Sequence, residues 1–450
     1  MKNTNITDKK ITVLGAVRSG LGAAKLIKQM GGIPFVSDAA GEEKLAASLD
    51  VLKNEGIEYE CGGHTDRIYD CDFIITSPGV PSNSTVMLNA SERNIPVISE
   101  VEFASWFCKG KIVSITGTNG KTTTTSLCTH VLNHCGINTF SAGNIGLAFS
   151  EVVSEVGEND VVALETSSFQ LDHIDSFRPD IAAILNITPD HLDRYNNHLE
   201  EYVAAKYRIF ENQTSEDKLI LNADDKYLPG EVTVKSSKYA FSLSMPQSNG
   251  AWLEDKHLHL ALGGKEIYSV PVSSVSLKGE HNYANIMVVM IISAILECDK
   301  DKVTEALGTF PGVEHRLEFV RELDGVIYIN DSKATNVDSV WYALRSFDEP
   351  IFLILGGKDK GNDYDQIRDL VVDRVKKIYA IGSSAEKVFN YFHKLVKVEV
   401  KNTLEDCIIA ANSEARENEI VLLSPACASF DMFDSYEHRG KVFKEAVNRL

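Results

Sequence analysis

The stretch ITGTNGKTT, residues 115–123, decides how this chain is read. It is close to the phosphate-binding pattern G-x-x-x-x-G-K-[ST], yet counting back from Gly120-Lys121-Thr122 puts Ile115 where the first glycine belongs. A glycine stands instead at Gly117, three residues before Gly120. The surrounding KIVSITGTNGKTTTTSLCTHVL (111–132) reads as strand, tight glycine turn and helix, a setting in which backbone N–H groups and a helix N-terminus face an anion. Lys121 would then reach the β and γ phosphates of a nucleotide, and the Thr122 hydroxyl would sit on Mg²⁺.

Outward from this loop, short Ile- and Val-rich runs recur, each passing into a polar or glycine-rich stretch and then a helix-period segment. They are ITVLG (11–15), FIITSPG (73–79), KIVSITG (111–117), VVALETSS (161–168), IAAILNITPDH (181–191), LILNADD (219–225), VIYINDSKATN (326–336), IFLILGGKDKG (351–361), IYAIGSS (378–384) and IVLLSPACAS (420–429). Such alternation predicts α/β architecture with mainly parallel sheets. Ligands of such sheets bind beyond the carboxyl ends of the strands, where nearly every run carries residues able to do chemistry. A β-rich excursion near 235–275 includes HLHLALGGKEIYSV, which reads as a hairpin around Gly263-Gly264, and a helix is expected over 281–298.

At a nucleotide site a carboxylate is needed for the metal, and Glu165 stands at the end of VVAL. Asp190-His191 ends the next strand, with His191 a candidate ligand for metal or phosphate. Lys206, in the helix-like LEEYVAAKYRIFE, reads by residue type as a solvated surface lysine. Further on stand His315-Arg316, Asp331-Ser332-Lys333-Ala334-Thr335-Asn336, Lys358, Lys360 and the segment Ser424–Ser429, whose cations at strand ends suit an anionic substrate. At the amino end, ITVLGAVRSGLG resembles a dinucleotide fingerprint, but Val17 replaces the second glycine, which disfavours NAD. The helix start could still hold a diphosphate, with Arg18 beside it.

With 450 residues, ordinary hydrophobicity and a formal net charge of -19, the chain is expected to be a multidomain globular protein for which nucleic acid and anionic membranes are poor partners. The start, MKNTNITDKKITVLG, lacks a signal-peptide pattern, and no run approaches the ~18 apolar residues of a membrane span. The eight cysteines show no C-x-x-C spacing, so reduced structural thiols in a cytoplasmic protein are expected.

Together these residues resemble the Mur ligase family, ATP-dependent amino-acid ligases of peptidoglycan synthesis, whose phosphate loop TGTNGKTT displaces the first glycine in the same way. The resemblance covers the whole chain in order. LETSSFQLD (164–172), NITPDHLDRY (186–195), GEHNYAN (279–285), INDSKATN (329–336) and LLSPACASFDMF (422–433) are similar to the family's D-glutamate-adding branch, and the D-N-P-R signature of the diaminopimelate-adding relatives is absent. The resemblance implies three domains: a Rossmann-like UDP-substrate domain over 1–100, a P-loop ATPase-like central domain over 101–311 and a Rossmann-like amino-acid domain over 312–450, with a hinge near 312.

It also implies roles. Gly117, Thr118, Asn119, Gly120, Lys121, Thr122 and Thr123 would hold the ATP phosphates, with Asn282, Asn285, Arg316 and Asp331 completing the nucleotide site. Thr122, Glu165, His191 and Lys206 would serve two Mg²⁺ ions, Lys206 as a carbamate, and Lys121, Glu165, His191 and Lys206 would be catalytic. Ser19, Asp38, Ser77, Gly79, Asn144, Ser167 and His191 would contact the UDP-MurNAc-L-Ala substrate, while Lys333, Thr335, Lys360, Ser429 and Phe430 would hold D-glutamate. Lys358 competes with Lys360 for the glutamate carboxylate. A monomer is expected. Rival readings are a folylpolyglutamate-type ligase, a P-loop ATPase that hydrolyses ATP without an amino acid, and an NAD oxidoreductase.

Overall fold

The computed structural model describes residues 5–228, 233–359 and 361–450. Three sheets follow one another along the chain. The first contains β1 (Lys10–Leu14), β2 (Ile33–Asp38), β3 (Glu58–Cys61), β4 (Phe73–Thr76) and β5 (Val97–Ser99), ordered β3-β2-β1-β4-β5 and wholly parallel. The second contains β6 (Lys111–Thr116), β7 (Thr139–Gly143), β8 (Val161–Glu165), β9 (Ile181–Ile184), β10 (Lys218–Asn222), β11 (Ser237–Ser242), β12 (Gly250–Glu254), β13 (His257–Leu262) and β14 (Lys265–Pro271). Its order is β14-β13-β12-β11-β10-β9-β6-β8-β7, parallel from β7 to β12 and antiparallel through β12, β13 and β14. The third contains β15 (Glu318–Leu323), β16 (Val326–Asn330), β17 (Ile351–Gly356), β18 (Val375–Ile381), β19 (Lys397–Val400) and β20 (Glu419–Leu423), ordered β15-β16-β20-β17-β18-β19, with only the β15-β16 pair antiparallel.

Every apolar run named above forms a strand, and the Gly263-Gly264 hairpin joins β13 to β14 with both glycines at positive φ. The helix expected over 281–298 spans Glu280–Ile295. The strands that the apolar runs do not announce are mostly short or at sheet edges. β3, β15 and β19 are partly exposed along their length and carry charged side chains, because an edge strand meets water along one side.

The chain divides into two compact units. One holds residues 1–276 and 282–310, with the first two sheets, and the other holds 277–281 and 311–450, with the third. Within the first unit one hydrophobic cluster runs from Ile6 to Leu228 through both sheets, and a smaller one gathers Leu14, Ile68, Ile74, Val86, Met87 and Ala90. The segment after β5 ties them together: Phe103 and Trp106 pack edge-on with centroids 5.6 Å apart, and Phe73 of β4 lies 5.8 Å from Trp106.

Two buried carboxylates in that segment behave oppositely. Glu102 accepts from Trp106 Nε1 (2.7 Å), the backbone N–H groups of Asp175, Ser176 and Phe177 (2.9, 3.0 and 2.7 Å) and Ser176 Oγ (2.5 Å). That ring of donors replaces the water the carboxylate loses. Glu100, two residues earlier, accepts from the Ser150 backbone N–H at 2.6 Å, while its Oε2 is buried with no hydrogen-bond partner among the described residues. Burial pushes its carboxyl up to about 7, with Glu151 adding to the effect.

Because the folded pKa is raised above the ordinary carboxyl value, Glu100 contributes stability that is fully present below about pH 4.5 and is lost as pH rises through about 7. Glu100→Gln keeps the shape and removes the charge. It is expected to raise stability at pH 8 by ~3 kcal/mol, with the gain vanishing near pH 4. Thermal unfolding of both proteins across that range measures it; a gain independent of pH would contradict the buried-charge account.

Candidate functional site

The phosphate loop leaves β6 at Thr116 and enters the helix Lys121–His134 through Gly120. Gly117 and Gly120 both have positive φ (153° and 85°), and a Cβ on Gly120 would lie 2.5 Å from Asn285 Oδ1, so the turn requires glycine there. With only Thr118 and Asn119 between the glycines, the loop is held by the chain leaving β9. Leu185 N–H donates to Thr116 O (2.9 Å) and Thr118 N–H to Asn186 O (2.9 Å). Asn119 N–H donates to Asn186 Oδ1 at 2.8 Å, and Asn186 Nδ2 donates back to Asn119 O at 3.1 Å. Thr118 Oγ1 donates to Thr188 O and accepts from Thr188 N–H, both at 3.0 Å.

Two lysines converge on this loop. Lys121 Nζ donates to Gly117 O and Thr118 O, each at 2.8 Å, and Lys206 Nζ donates to Gly117 O at 2.9 Å. Lys206 lies in the last turn of the helix Leu199–Tyr207 and is 1% exposed, so the surface reading of its residue type is corrected. The helix packs its Tyr202 and Lys206 inward; the ammonium lies 4.5 Å from the Tyr202 ring centroid, and Tyr202 OH is 3.2 Å from Thr118 Oγ1. Burial first, and the neighbouring Lys121 charge second, hold the Lys206 pKa well below the usual lysine value, against the opposing pull of Asp190, Asp172 and Glu165.

Glu165 ends β8 and is 2% exposed. Its Oε1 accepts from Asn144 Nδ2 at 2.9 Å, and its Oε2 is buried with no hydrogen-bond partner among the described residues. An orphaned carboxylate oxygen beside a phosphate loop suits a hard, oxygen-bound cation such as Mg²⁺. Thr122 and Thr123 are buried in the first turn of the loop helix. His191 is exposed at φ 53°, immediately before the short turn Leu192–Arg194, with its ring edge-on to Phe169 (5.2 Å) and its Nε2 3.6 Å from Asp190 Oδ2. Non-glycine residues in this conformation gather at functional sites. Asn282 and Asn285 stand one turn apart on the helix Glu280–Ile295, both buried. Ser167 caps the helix Ser168–Leu171 in a capping box with Gln170.

In the first sheet the strand order reverses beside β1, between β1 and β4, which makes the crevice at their carboxyl ends the ligand position. Ser19 and Ser77 face each other there, with hydroxyl oxygens 3.3 Å apart. Asp38, ending β2, accepts from the N–H groups of Ala16 (2.7 Å) and Ala40 (2.8 Å) and so braces the turn after β1. Gly79 is exposed with open space around it, and Val17 is 61% exposed.

In the second unit the turns after β16 and β20 are fastened together. Asp331 is 1% exposed and accepts from Ser424 Oγ (2.8 Å) and Leu317 N–H (3.2 Å); burial pushes its carboxyl up to about 6, opposed by Arg316. Arg439, 2% exposed, spans both turns, donating to Ser332 Oγ (2.9 Å), Ser332 O (2.8 Å) and Cys427 O (3.1 Å), and burial lowers its pKa to about 10. Lys333 Nζ lies 5.3 Å from the Tyr436 ring, Thr335 N–H donates to Lys333 O (2.9 Å), Ser429 is buried and Phe430 is 69% exposed. His315, read from sequence as one of the cations gathered for an anion, is instead buried with Nδ1 2.9 Å from Asn330 Nδ2, and burial lowers its pKa. Lys360 lies outside the described residues; Lys358 is exposed, and its backbone pairs with Ala428. The sequence reading passed over Asn186 and Arg439: Asn186 stood inside the quoted NITPDH, but nothing in the pattern marks Arg439 as buried.

A buried lysine and a carboxylate with an orphaned oxygen flank the compressed glycine loop, and comparison with known proteins shows that the chain belongs to the Mur ligase family, a class of ATP-dependent ligases. Family models match over residues 13–86 (MurD N-terminal domain), 115–293 (Mur ligase middle domain) and 315–427 (Mur ligase, glutamate ligase domain). Among individual relatives, the UDP-N-acetylmuramoylalanine--D-glutamate ligase of Chloroherpeton thalassium is 43% identical, covering 100% of both chains, and that of Christiangramia forsetii is 44% identical over 98% of this chain and 100% of its own. In fold the chain is similar to the UDP-N-acetylmuramate-alanine ligase MurC of Thermotoga maritima (TM-score 0.63, 20% identity, 98% of this chain and 99% of that one) and to Thermotoga maritima MurF ligase in complex with ADP (TM-score 0.60, 16% identity, 100% of both). The eight cysteines are free, and among the described residues no helix is long and apolar enough to cross a membrane.

The turn geometry makes Gly120→Ala a sharp test of the loop. The added methyl meets Asn285 and adopts a strained backbone, at a cost of about 1–2 kcal/mol in stability. ATP affinity measured by calorimetry is expected to fall at least tenfold while the far-ultraviolet circular dichroism stays unchanged; unaltered affinity would show that the loop does not hold the nucleotide.

Proposed function

We propose that the chain is an ATP-dependent ligase that joins D-glutamate to UDP-N-acetylmuramoyl-L-alanine through an acyl phosphate, acting as a cytoplasmic monomer in peptidoglycan precursor synthesis. The observation that carries the chemistry is the convergence of Lys121, Lys206 and the strand-end Glu165 around the Gly117–Gly120 loop. The choice of substrates rests on the names of relatives that match the chain end to end.

A carboxylate is a poor electrophile, because attack by an amine would have to expel an oxide. Transfer of the γ phosphoryl group from ATP to the alanine carboxylate replaces that oxide with phosphate as leaving group and releases ADP. The amine of D-glutamate then attacks the acyl carbon, loses a proton, and the intermediate collapses to the amide with release of phosphate. Lys121 and the N-terminus of the helix Lys121–His134 offset the negative charge of the phosphates during transfer. Mg²⁺, held by Thr122, Glu165, His191 and modified Lys206 as two ions, would supply further charge neutralisation at the phosphate oxygens.

Burial and the neighbouring Lys121 charge lower the Lys206 pKa and so favour its neutral amine, the form that adds to CO₂. Loss of the ammonium proton, addition of CO₂ to the neutral amine and release of a second proton from nitrogen give a carbamate, which turns a buried cation into a carboxylate-like oxygen donor. Asn282, Asn285, Arg316 and Asp331 are assigned to ATP; Ser19, Asp38, Ser77, Gly79, Asn144, Ser167 and His191 to the UDP substrate; and Lys333, Thr335, Lys360, Ser429 and Phe430 to D-glutamate. The central and third-domain boundaries are assigned at 101–311 and 312–450, with 1–100 forming the UDP-substrate domain.

Phosphate release measured across a panel of amino acids tests the assignment: it should require both UDP-MurNAc-L-Ala and D-glutamate. Equal efficiency with L-lysine or diaminopimelate would overturn the specificity. Lys206→Ala is expected to lower kcat by about a hundredfold to a thousandfold or more, and the unaltered protein should lose activity when CO₂ is stripped from the buffer and regain it with bicarbonate. A variant as fast as the parent removes the carbamate from the mechanism.

A further inference from the structure

We infer that Asn186 is a positioning residue for nucleotide phosphates, acting as the clamp that shapes the compressed loop. The inference rests on reading this loop as the ATP site. In a six-residue phosphate loop, four residues between the glycines wrap the anion; here only Thr118 and Asn119 stand between Gly117 and Gly120. The missing backbone is supplied from the neighbouring strand. The Asn186 side chain closes a two-bond ring with the Asn119 backbone, accepting at 2.8 Å and donating at 3.1 Å, while its own carbonyl accepts the Thr118 N–H at 2.9 Å.

A side-chain amide suits that ring, because it offers a donor and an acceptor side by side to the one C=O and one N–H of Asn119. The clamp is itself fixed from the next strand: Asn222 Nδ2 donates to Leu185 O (3.0 Å), and Ile187 N–H donates to Asp225 Oδ2 (2.6 Å). Asn186 therefore sits on a braced segment and determines which way the Asn119 peptide faces. The orientation of that peptide decides whether backbone N–H groups at the helix start converge on a phosphate. Asn186 acts on the phosphates through the loop, leaving adenosine recognition to other residues.

Calorimetric titration with ADP and with adenosine, together with thermal melting, tests this on the whole protein. Asn186→Ala is expected to weaken ADP roughly tenfold or more while adenosine affinity is unchanged, since two hydrogen bonds that orient the loop are lost. Asn186→Asp keeps the acceptor for Asn119 N–H, loses the donor and adds a negative charge near the phosphates. It should show the same selective loss of ADP and serves in place of the alanine variant if that one does not fold. Unchanged ADP affinity, or equal losses for ADP and adenosine, would overturn the clamp. Neither titration needs an amino acid, so failure of the D-glutamate assignment leaves this result readable, whereas a parent protein that binds no ADP overturns both.

Discussion

The first unit depends on the continuation of pairing between β6 and β9 beyond the ends of the strands. The register Thr116↔Ile184 passes without a break into the bonds of Leu185 and Asn186 with Thr116, Thr118 and Asn119. A loop this short has too few peptide groups to fix its own shape against conformational entropy, and the neighbouring chain provides the constraint. The same segment continues to Asp190 and His191, so the shape of the phosphate loop and the placement of a candidate metal ligand come from one stretch of backbone. Glu165 enters from β8 on the opposite side of β6, which places β6 at the centre of the site.

Charge is handled locally. The protein carries a net charge of -19, yet its candidate sites contain buried basic side chains. Each is treated differently by its surroundings. Lys206 is pushed toward neutrality by burial beside Lys121; Arg439 is surrounded by carbonyl and hydroxyl oxygens; His315 is paired with Asn330. A neutral buried amine is a nucleophile, whereas a guanidinium bonded to carbonyl oxygens is a structural tie, so burial alone does not define function.

The joint between the first two sheets rests on the same physics with the opposite sign. Glu102 is tolerated inside the protein because five donors surround it, and those donors come from the residues 175–177 and from Trp106. Glu100 has one, and its ionisation is correspondingly costly. A carboxylate that fixes the packing and one whose ionisation is opposed by burial stand two residues apart on the helix Glu100–Ser105.

The sequence by itself determined the class of the fold, because short apolar runs rich in Ile and Val that flow into glycine and polar residues have the length and composition of buried strands, and every such run is a strand. It also marked Gly117–Thr123 as a candidate phosphate loop, since glycine spacing, Lys121 and the following threonines are local features. Edge strands such as β3, β15 and β19 were hidden because their half-exposed residues are not selected for apolarity. Only the tertiary structure decided which polar residues face inward. Lys206 looks like any helical lysine until the helix Leu199–Tyr207 packs it against Gly117, and Asn186 looks like a loop asparagine until β9 lies beside β6. These placements depend on contacts 89 and 67 residues apart, and no local pattern encodes the burial that such distant contacts impose.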